Sequence, residues 1–401
     1  MTSERKTVRL GDVASVKGGK RLPKGVNLIT DPNDHPYIRV RDLNNKHTLE
    51  LNTDFEFVDD ETQKSIARYI VNFGDIILSI VGTIGLVAIV GESLHNANLT
   101  ENCVKITQLD GVDRDYLYYF LKSEMGQAEI AKGTVGAVQA KLPIKNIQAI
   151  EVILPNIERQ KKIASILASI DYKIEVNEKI NDNLQQQADA IFSELFLSDV
   201  NRSALTVADV SIKVTDGVHN TVLDDPNGDY YLLSCKNIKG GILSISNSER
   251  RISKETFEKL RKRTRLEKGD ILLSSVGTVG ELLLLKEIPS NYEFQRSVAM
   301  IKPNPAFVSS EYLYQALRSK KDEIIHAAHG AVQQCLFISD ISDFQIPVPT
   351  KSELEQFSNL VAPMFSKIHL NECENKRLVA LRDALLPKLL SGEIDVSDIQ
   401  F

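Results

Sequence analysis

The chain has only four cysteines, and their positions exclude two common ways of stabilising a small domain. Cys103, Cys235, Cys335 and Cys373 are scattered, with no CxxC pair and no histidine nearby at metal-ligand spacing. A disulfide framework or a zinc site needs such residues at characteristic short spacings. We therefore expect reduced thiols in a cytoplasmic protein that binds no metal.

The sequence also lacks a secretion signal and an apolar run long enough to span a bilayer. Residues 1–10 are polar, and no apolar core follows them. The apolar run of residues 76–90 is too short for a membrane helix and is interrupted by Gly82 and Gly85. We expect no membrane segment, and two strands joined by a turn at this run.

Motifs of catalysis are missing as well. The chain has no GxxxxGK[ST] phosphate loop, no GxGxxG before a helix and no carboxylate-and-lysine nuclease cluster, and its histidines form no triad. Residues 304–307 read Asn-Pro-Ala-Phe, which lacks the second proline of the Asn-Pro-Pro-Tyr loop that holds a flipped adenine in methyltransferases. We predict no catalytic residue and no cofactor bound by this chain.

Positive charge is not in excess. The 48 basic and 54 acidic residues give a net charge of −6. A chain with this balance does not bind polyanions through its overall charge, so any nucleic-acid surface must be a local patch. The length of 401 residues allows two domains, each with its own core.

What the chain does contain is a long internal repeat, with a period of about 195 residues. Three motifs recur at this spacing: GDIILSIVGTIG (74–85) as GDILLSSVGTVG (269–280), YLY (116–118 and 312–314), and GAVQ (136–139 and 330–333). Repeat units of a solenoid are about 20–50 residues long. The repeat therefore predicts two copies of a whole domain.

The first part of each repeat, residues 1–156 and 199–350, predicts a globular head. Short β-branched runs alternate irregularly with glycine, proline, asparagine and a few helical stretches. This mixture favours a compact α+β (mixed α/β) domain over a regular doubly wound sheet. The repeated Tyr-Leu-Tyr is expected to face the core from a helix rather than to bind a ligand.

The second part of each repeat, residues 157–198 and 351–401, has heptad spacing typical of a long helix. Ten positions from Ile163 to Leu195 recur 194 residues later, from Phe357 to Leu389. Both series carry two asparagines in the seam, Asn177 with Asn181 and Asn371 with Asn375. Parallel and antiparallel pairing are both possible, but an antiparallel coiled coil sets Asn177 against Asn375 and Asn181 against Asn371, which fixes the register.

Two similar heads on paired helices predict a ruler. Forty helical residues span about 60 Å. DNA repeats its groove orientation about every 34 Å, so it is the natural partner for two heads at a fixed distance. Because the heads differ in sequence, we expect an asymmetric bipartite target whose spacer is measured but not read.

The order of head, helix, head and helix resembles the DNA-specificity subunit of type I restriction-modification enzymes. The residues that carry the resemblance are the repeated GDIxLSxVGT and GAVQ motifs, Pro155 with Gln160 and Pro349 with Gln356, TDGVH at 215–219, and the ending LLPKLLSGEI at 385–394. The resemblance covers essentially the whole chain, and its strength lies in the order and duplication of motifs that are individually weak.

The resemblance implies a non-catalytic subunit with two target-recognition domains, each reading one part of a split sequence in double-stranded DNA. It also implies helices that dock two modification (methyltransferase) subunits. Those subunits hold S-adenosylmethionine, and further restriction subunits, which hold ATP and magnesium, can join.

Candidate DNA contacts follow from the chemistry of recognition. Lysine and arginine bind phosphates, whereas arginine, lysine, asparagine and glutamine read base edges. In the first head the candidates are Lys17, Lys20, Arg21, Lys24, Arg39, Arg41, Thr83, Gln139 and Lys141. In the second head they are His219, Asn220, Lys236, Lys239, Arg261, Lys262, Arg263, Arg265, Thr278, Gln333 and Gln334. Taken singly, each is a common solvated surface residue, and the run 261–265 could equally form the polar face of a helix.

Two other classes of function stay open. A protein-interaction scaffold with two degenerate heads would show salt-independent association and no DNA retention. A self-contained methyltransferase or nuclease would be active as the purified chain with S-adenosylmethionine or magnesium.

Overall fold

The computed structural model describes residues 5–43, 46–136, 139–198, 202–246, 248–330 and 334–397. By its internal contacts the chain forms two units, residues 1–176 with 374–401, and residues 177–373. Both dividing points fall inside a long helix, so each unit contains one head and a segment of each long helix. The domain boundaries expected after residues 156, 198 and 350 separate the heads from the long helices, which is a different division of the chain. These boundaries stay predictions.

The first unit contains short strands and helices in irregular order. Its strands are β1 (Lys6–Arg9), β2 (Ser15–Gly18), β3 (Tyr37–Ile38), β4 (Thr48–Leu49), β5 (Ile76–Ser79), β6 (Val87–Val90), β7 (Asn98–Leu99), β8 (Cys103–Thr107) and β9 (Glu151–Leu154). Its helices are α1 (Leu10–Val13), α2 (Asp60–Ile66), α3 (Arg114–Lys122), α4 (Glu124–Gly133), α5 (Ile144–Gln148) and the beginning of α6 (Ile157–Phe192). Short 3-10 turns occupy Val40–Asp42, Ala67–Tyr69 and Glu92–Leu94.

A five-stranded sheet in the order β2-β8-β5-β6-β4 forms the centre of the first head. Ile76 and Leu78 of β5 pack into a cluster with α3, whereas Ile77 packs into a second cluster with Phe57 on the other side. Both faces of β5 are therefore buried, which explains why the apolar run at 76–90 is continuous rather than alternating. The expected two strands joined by a turn are present as β5 and β6.

The second unit begins within α6, which ends in a π-helical turn at Ser193–Leu197. Its strands are β10 (Ala204–Thr206), β11 (Ser211–Asp216), β12 (Tyr230–Leu233), β13 (Ile238–Lys239), β14 (Ile242–Leu243), β15 (Arg251–Ile252), β16 (Ile271–Ser274), β17 (Leu282–Leu284), β18 (Tyr292–Phe294), β19 (Val298–Pro303) and β20 (Gln345–Pro347). Its helices are α7 (Lys254–Thr264), α8 (Ser310–Ser319), α9 (Lys321–His326), α10 (Ile338–Asp343) and part of α11 (Lys351–Ser391). A 3-10 turn occupies Cys235–Asn237.

The sheet of the second head repeats the topology of the first. Its order is β11-β19-β16-β17, which corresponds strand for strand to β2-β8-β5-β6. Each head also has a short parallel pair, β3 with β7 and β12 with β18. The mixed helix and sheet class expected for the heads is confirmed. The second head differs by the hairpin of β13 and β14 and by the longer helix α7.

The repeated Gly-Asp builds the turn that leads into the central strand of each sheet. Asp75 accepts a hydrogen bond from the backbone N–H of Asn72 at 2.9 Å and lies 3.4 Å from Lys105 on β8. Asp270 accepts one from Glu267 at 2.9 Å and lies 2.6 Å from Lys302 on β19. The motif is therefore structural in both heads.

The repeated Tyr-Leu-Tyr is part of the core, as expected. Tyr116 in α3 is buried, and its hydroxyl donates to the carbonyl of Ile153 at 2.6 Å. Tyr312 in α8 is buried likewise and donates to the carbonyl of Pro347 at 2.6 Å. In each head the helix is thus tied to the strand that precedes a long helix.

The two glutamines that follow Pro155 and Pro349 are not equivalent. Gln160 is buried, accepts from the N–H of Asp113 at 2.9 Å and donates to the carbonyl of Pro155 at 2.9 Å. Gln356 is exposed. The 194-residue offset aligns Gln160 with Leu354, so only the first glutamine fixes the start of its helix.

In the first unit, the segments of α6 and α11 meet through a polar layer and an apolar cluster. Leu167 shares a cluster with Leu389. Asp171 accepts from Arg382 at 2.7 Å and from the hydroxyl of Tyr119 at 2.7 Å. Asp171 is 6% exposed, so this ion pair is buried.

In the second unit, the corresponding layer is apolar. The positions that match Asp171 and Arg382 hold Phe365 and Ala188, which share one cluster with Phe192 and Phe357. A polar contact lies further along, where the side-chain amide of Asn371 donates to that of Asn181 at 2.8 Å. The two units thus bury chemically different layers at equivalent positions.

Within the described ranges, no helix combines the length and the apolar character needed to cross a bilayer.

The ion pair of the first unit tests this account of the helix contacts. Arg382→Ala leaves Asp171 buried without a cation, so we expect the free energy of unfolding to fall by about 3 kcal/mol. Asp171→Phe with Arg382→Ala and Tyr119→Phe replaces the layer with apolar side chains and should recover most of this loss. Chemical denaturation followed by circular dichroism measures both. Equal stability of the single and triple variants would contradict the account.

Candidate nucleic-acid interface

One end of the sheet in each head gathers most of the candidate residues. We call it the turn end, because a Gly-Thr turn there joins β5 to β6 (Gly82–Thr83) and β16 to β17 (Gly277–Thr278). In the first head β2 finishes and β8 begins at the same end, since Ser79 lies opposite Cys103 and Gly18 opposite Val104. Loops from several strands therefore converge there.

A serine at the end of the central strand holds each Gly-Thr turn. The hydroxyl of Ser79 donates to the carbonyl of Thr83 at 2.6 Å and accepts from the N–H of Leu86 at 2.9 Å. The hydroxyl of Ser274 accepts from the N–H of Glu281 at 2.8 Å. The turn needs left-handed backbone, with φ of 80° at Gly82 and 82° at Gly277. Thr83 and Thr278 are both presented to solvent.

The loop after the repeated GAVQ motif lies against this turn. In the first head the N–H of Leu142 donates to the carbonyl of Ile80 at 3.0 Å, which places exposed Lys141 and Gln139 near Thr83. In the second head the N–H of Gly277 donates to the carbonyl of Gln334 at 3.0 Å. Gln333 lies outside the described residues.

A glycine brings the loop after the first sheet strand against the neighbouring backbone. The N–H of Gly19 donates to the carbonyl of Cys103 at 3.0 Å, and a Cβ at Gly19 would lie 2.0 Å from the carbonyl oxygen of Thr100. In the second head the N–H of Gly217 donates to the carbonyl of Val298 at 3.1 Å, and a Cβ at Gly217 would lie 2.1 Å from the carbonyl oxygen of Gln295. The glycine of the TDGVH motif is therefore required for this close approach.

The close approach carries charged side chains to the turn end. Arg21 is 80% exposed and lies 2.6 Å from Glu101. Burial raises the pKa of Glu101, but hydrogen bonds, led by that from Arg21, outweigh it, so the pKa lies below its usual value. His219, two residues after Gly217, lies 2.6 Å from Asp216.

The remaining candidates of these loops are exposed. Lys17 lies on β2, Lys24 and Asn220 lie in the loops that follow, and Lys20 places its ammonium 5.7 Å from the centre of the Tyr69 ring.

The 3-10 turn that follows β3 in the first head and β12 in the second carries further candidate DNA-binding residues. The backbone N–H of Arg39 donates to the buried carboxylate of Asp42 at 2.7 Å, and the side chains of Arg39 and Arg41 both bind Glu56. Burial raises the pKa of Asp42 to about 6, although the nearby Arg41 opposes the shift. The charges of both arginines are therefore partly balanced within the head.

In the second head, the equivalent turn replaces the aspartate with an amide. The N–H of Ser234 donates to the side chain of Asn237 at 2.9 Å. Lys236 lies 3.0 Å from Glu249 and stays largely exposed. Lys239 is exposed on β13, and the next N–H, of Gly240, donates to Glu281 beside the Gly-Thr turn at 2.6 Å.

The side chains of the basic run 261–265, at the end of α7, lie in different environments. Arg261 binds the fully buried Glu293 and donates to the carbonyl of Tyr292 at 3.0 Å. Arg263 donates to the carbonyl of Asp216 at 2.8 Å. Lys262 and Arg265 are exposed. The carbonyl of Arg265 accepts from Lys302, which also binds Asp270, so this residue lies at the opposite, Gly-Asp end of the sheet.

One segment of the turn end contains none of the residues that the sequence motifs predicted. Residues 99–103 and 294–298 lie between the glycine loop and the central strand, and they bring exposed Arg296 to the surface of the second head. The two copies share no letter pattern, reading LTENC and FQRSV. The signal that could have found Arg296 is the 195-residue offset of the GDIxLSxVGT motif, which aligns it with Glu101.

The described residues contain no group of three or more histidine, cysteine, aspartate or glutamate side chains placed to hold a metal. The four cysteines are free thiols, and burial raises the pKa of Cys103 to about 12.

Comparisons with known proteins agree with this two-headed architecture. A family described as the type I restriction modification DNA specificity domain matches residues 2–186 and 218–378. A type I restriction enzyme MjaIX specificity subunit from Methanocaldococcus jannaschii is 26% identical, over 98% of this chain and 94% of the relative. A HindI specificity subunit from Haemophilus influenzae is 26% identical, over 63% of this chain and 71% of the relative.

The fold is also found in a solved structure. The S subunit of a type I restriction-modification system from M. genitalium has a TM-score of 0.55 at 17% identity, covering 97% of this chain and 96% of that chain. This likeness concerns the fold alone.

The family match over residues 2–186 and 218–378 covers most of the chain. The chain therefore belongs to the type I restriction-modification DNA specificity family, as a specificity subunit that carries two recognition domains and is not itself catalytic.

Asp42 gives this site a pH dependence. Because its pKa is raised from 3.8 to about 6, its contribution to stability is fully present below pH 3.8 and is lost as the pH rises through 6. In Asp42→Asn, the side-chain amide oxygen can still accept from the N–H of Arg39, as Asn237 accepts from the N–H of Ser234 in the second head, and the side chain is neutral at every pH. We expect it to raise the free energy of unfolding at pH 7 by on the order of 2 kcal/mol relative to wild type, with little effect at pH 4. Urea unfolding at both values measures this, and an equal change at pH 4 and pH 7 would contradict it.

Proposed function

We propose that this chain reads a bipartite, asymmetric target in double-stranded DNA, with one half-site bound at the turn end of each head. The supporting observation is a common backbone frame that carries different side chains. At equivalent positions the heads present Arg21 and His219, Arg41 and Lys236, Lys141 and Cys335, and Glu101 and Arg296. Equal frames with unequal side chains are what two different half-sites require.

Local cations supply the affinity in this proposal. The net charge of −6 gives no general attraction to DNA. The first head compensates with exposed Lys17, Lys20, Arg21 and Lys24 along one strand and the loop after it. Contacts of these side chains with phosphates release counterions, so binding should weaken steeply as salt rises.

The long helices α6 and α11 form, in this proposal, an antiparallel coiled coil that sets the distance between the half-sites. Several contacts support opposite directions. In the first unit Leu167 clusters with Leu389, and the amide of Asn375 donates to the carbonyl of Ile174 at 3.5 Å. In the second unit Asn181 binds Asn371, whereas Phe192 lies 6.0 Å from Phe357 between ring centres. In both, a later residue of one helix meets an earlier residue of the other.

The proposal includes partners for chemistry that this chain lacks. Two modification (methyltransferase) subunits holding S-adenosylmethionine dock on the helices, and restriction subunits holding ATP and magnesium join them. The support is that the chain belongs to this family and that its relatives are specificity subunits of type I restriction enzymes. Because the proposed partner is double-stranded DNA, we expect this assembly in the cytoplasm.

Footprinting tests the split target. We expect the complex of this chain with its methyltransferase subunits to protect two patches of DNA on either side of an unprotected gap, because each head covers only its own half-site. Methylome sequencing of cells with and without the chain supplies the target sequence. A single continuous patch would contradict the proposal. Salt-independent association without any protection would favour the interaction scaffold instead.

The coiled coil is tested by its length. Inserting one heptad into α6 after Val176 and one into α11 after Cys373 adds about 10 Å to a helical rod. At about 3.4 Å per base pair, the preferred spacer should grow by about three base pairs while both half-sites stay the same. Selection from DNA with randomised spacer lengths measures this. Altered half-sites with an unchanged spacer would contradict the ruler.

Exchange of a head is the matched control for the spacer experiment. Replacing residues 1–156 with the first head of another member of the family should alter one half-site and leave the spacer and the other half-site unchanged. A change in both half-sites would show that the heads do not read independently.

A further inference from the structure

We infer that Arg296 reads a guanine in the half-site of the second head. The inference rests on the proposed function, because it assumes that the turn end faces DNA.

The backbone around Arg296 is fixed by neighbouring elements. Its N–H donates to the carbonyl of Val218 at 3.1 Å. The next residue, Ser297, accepts from the N–H of Ser275 at 2.9 Å through its carbonyl and from the N–H of Cys235 at 3.1 Å through its hydroxyl. The glycine loop, the central strand and the 3-10 turn therefore all hold this segment, which places Arg296 at the middle of the turn end.

The side chain of Arg296, by contrast, is available. It is exposed, and within the described ranges its guanidinium makes no ion pair and no side-chain hydrogen bond. Its basic neighbours differ: Arg263 donates to the carbonyl of Asp216, Lys236 lies beside Glu249, and His219 lies beside Asp216. Arg296 is thus an uncompensated cation on a fixed backbone.

The chemistry of this group selects guanine. A guanidinium donates two parallel hydrogen bonds, and guanine presents two acceptors, O6 and N7, in the major groove. A lysine offers a point charge without this planar fork. Contacts to base edges specify the sequence, whereas contacts to phosphates only position the protein, so a cation that differs between the two heads suits the base-reading role.

The first head supports the assignment by contrast. The equivalent position holds Glu101, whose carboxylate is already bound to Arg21 at 2.6 Å. The same backbone position therefore carries an unpaired guanidinium in the second head and a carboxylate paired with Arg21 in the first. Because the charge at this position is reversed, the position distinguishes the two half-sites.

The experiment uses the full chain in complex with its methyltransferase subunits. The target is first identified by methylome sequencing, and dissociation constants are then measured at one salt concentration for duplexes with each base pair of the second half-site replaced. We expect the wild type to prefer guanine at one position by about 10- to 100-fold. Arg296→Ala and Arg296→Lys should lose this preference at that position while keeping the others. Lys268→Ala removes a charge from the opposite end of the same sheet and should change nothing.

Other outcomes overturn the inference. If Arg296→Ala weakens all duplexes equally and lowers the salt slope by about one, the residue binds a phosphate. If it has no effect, the residue does not contact DNA. Retained reading of the first half-site by the variant shows that the complex is folded. A wild-type complex without a split target would refute the proposed function itself, which separates the two failures.

Discussion

Each head depends on one steric constraint, the approach of two backbone segments closer than a side chain permits. At Gly19 and at Gly217 a Cβ would overlap a carbonyl oxygen of the neighbouring segment. Any other residue must push these segments apart and disrupt the hydrogen bonds that follow. The constraint therefore fixes where the next residues emerge, and it does so identically in two copies whose exposed side chains differ.

At the turn end, the residues that hold the backbone are different from the residues that are exposed for binding. Ser79 and Ser274 use their hydroxyls to close the Gly-Thr turns, so these two repeated serines serve the fold rather than recognition. The variable side chains beside them, such as Arg21 and His219, carry no part of the backbone frame. Changes at these positions alter the surface without altering the sheet, because loops on a rigid scaffold tolerate substitution.

The repeated letters predicted the fold well and the site only in part. Duplicated GDIxLSxVGT and Tyr-Leu-Tyr segments revealed two heads because buried positions keep their identity between copies. The exposed position of Arg296 does not, since it matches Glu101, so a search for repeated residues passes over it. Arg261 shows the converse problem: a cation in a basic run points toward a buried glutamate, Glu293, that lies 32 residues further along the chain. Local spacing cannot reveal such a distant partner.

The buried ion pair of Asp171 and Arg382 has an evolutionary consequence. If the helices pair as proposed, a gene encoding only the first repeat would have to associate with a second copy of itself. Antiparallel self-pairing of α6 would then set Asp171 against Ala188 of the other copy, and a carboxylate buried without a cation is strongly unfavourable. Recombination that exchanges whole heads preserves the pair, whereas fission followed by homodimerisation destroys it. This layer therefore ties the two halves of the gene together.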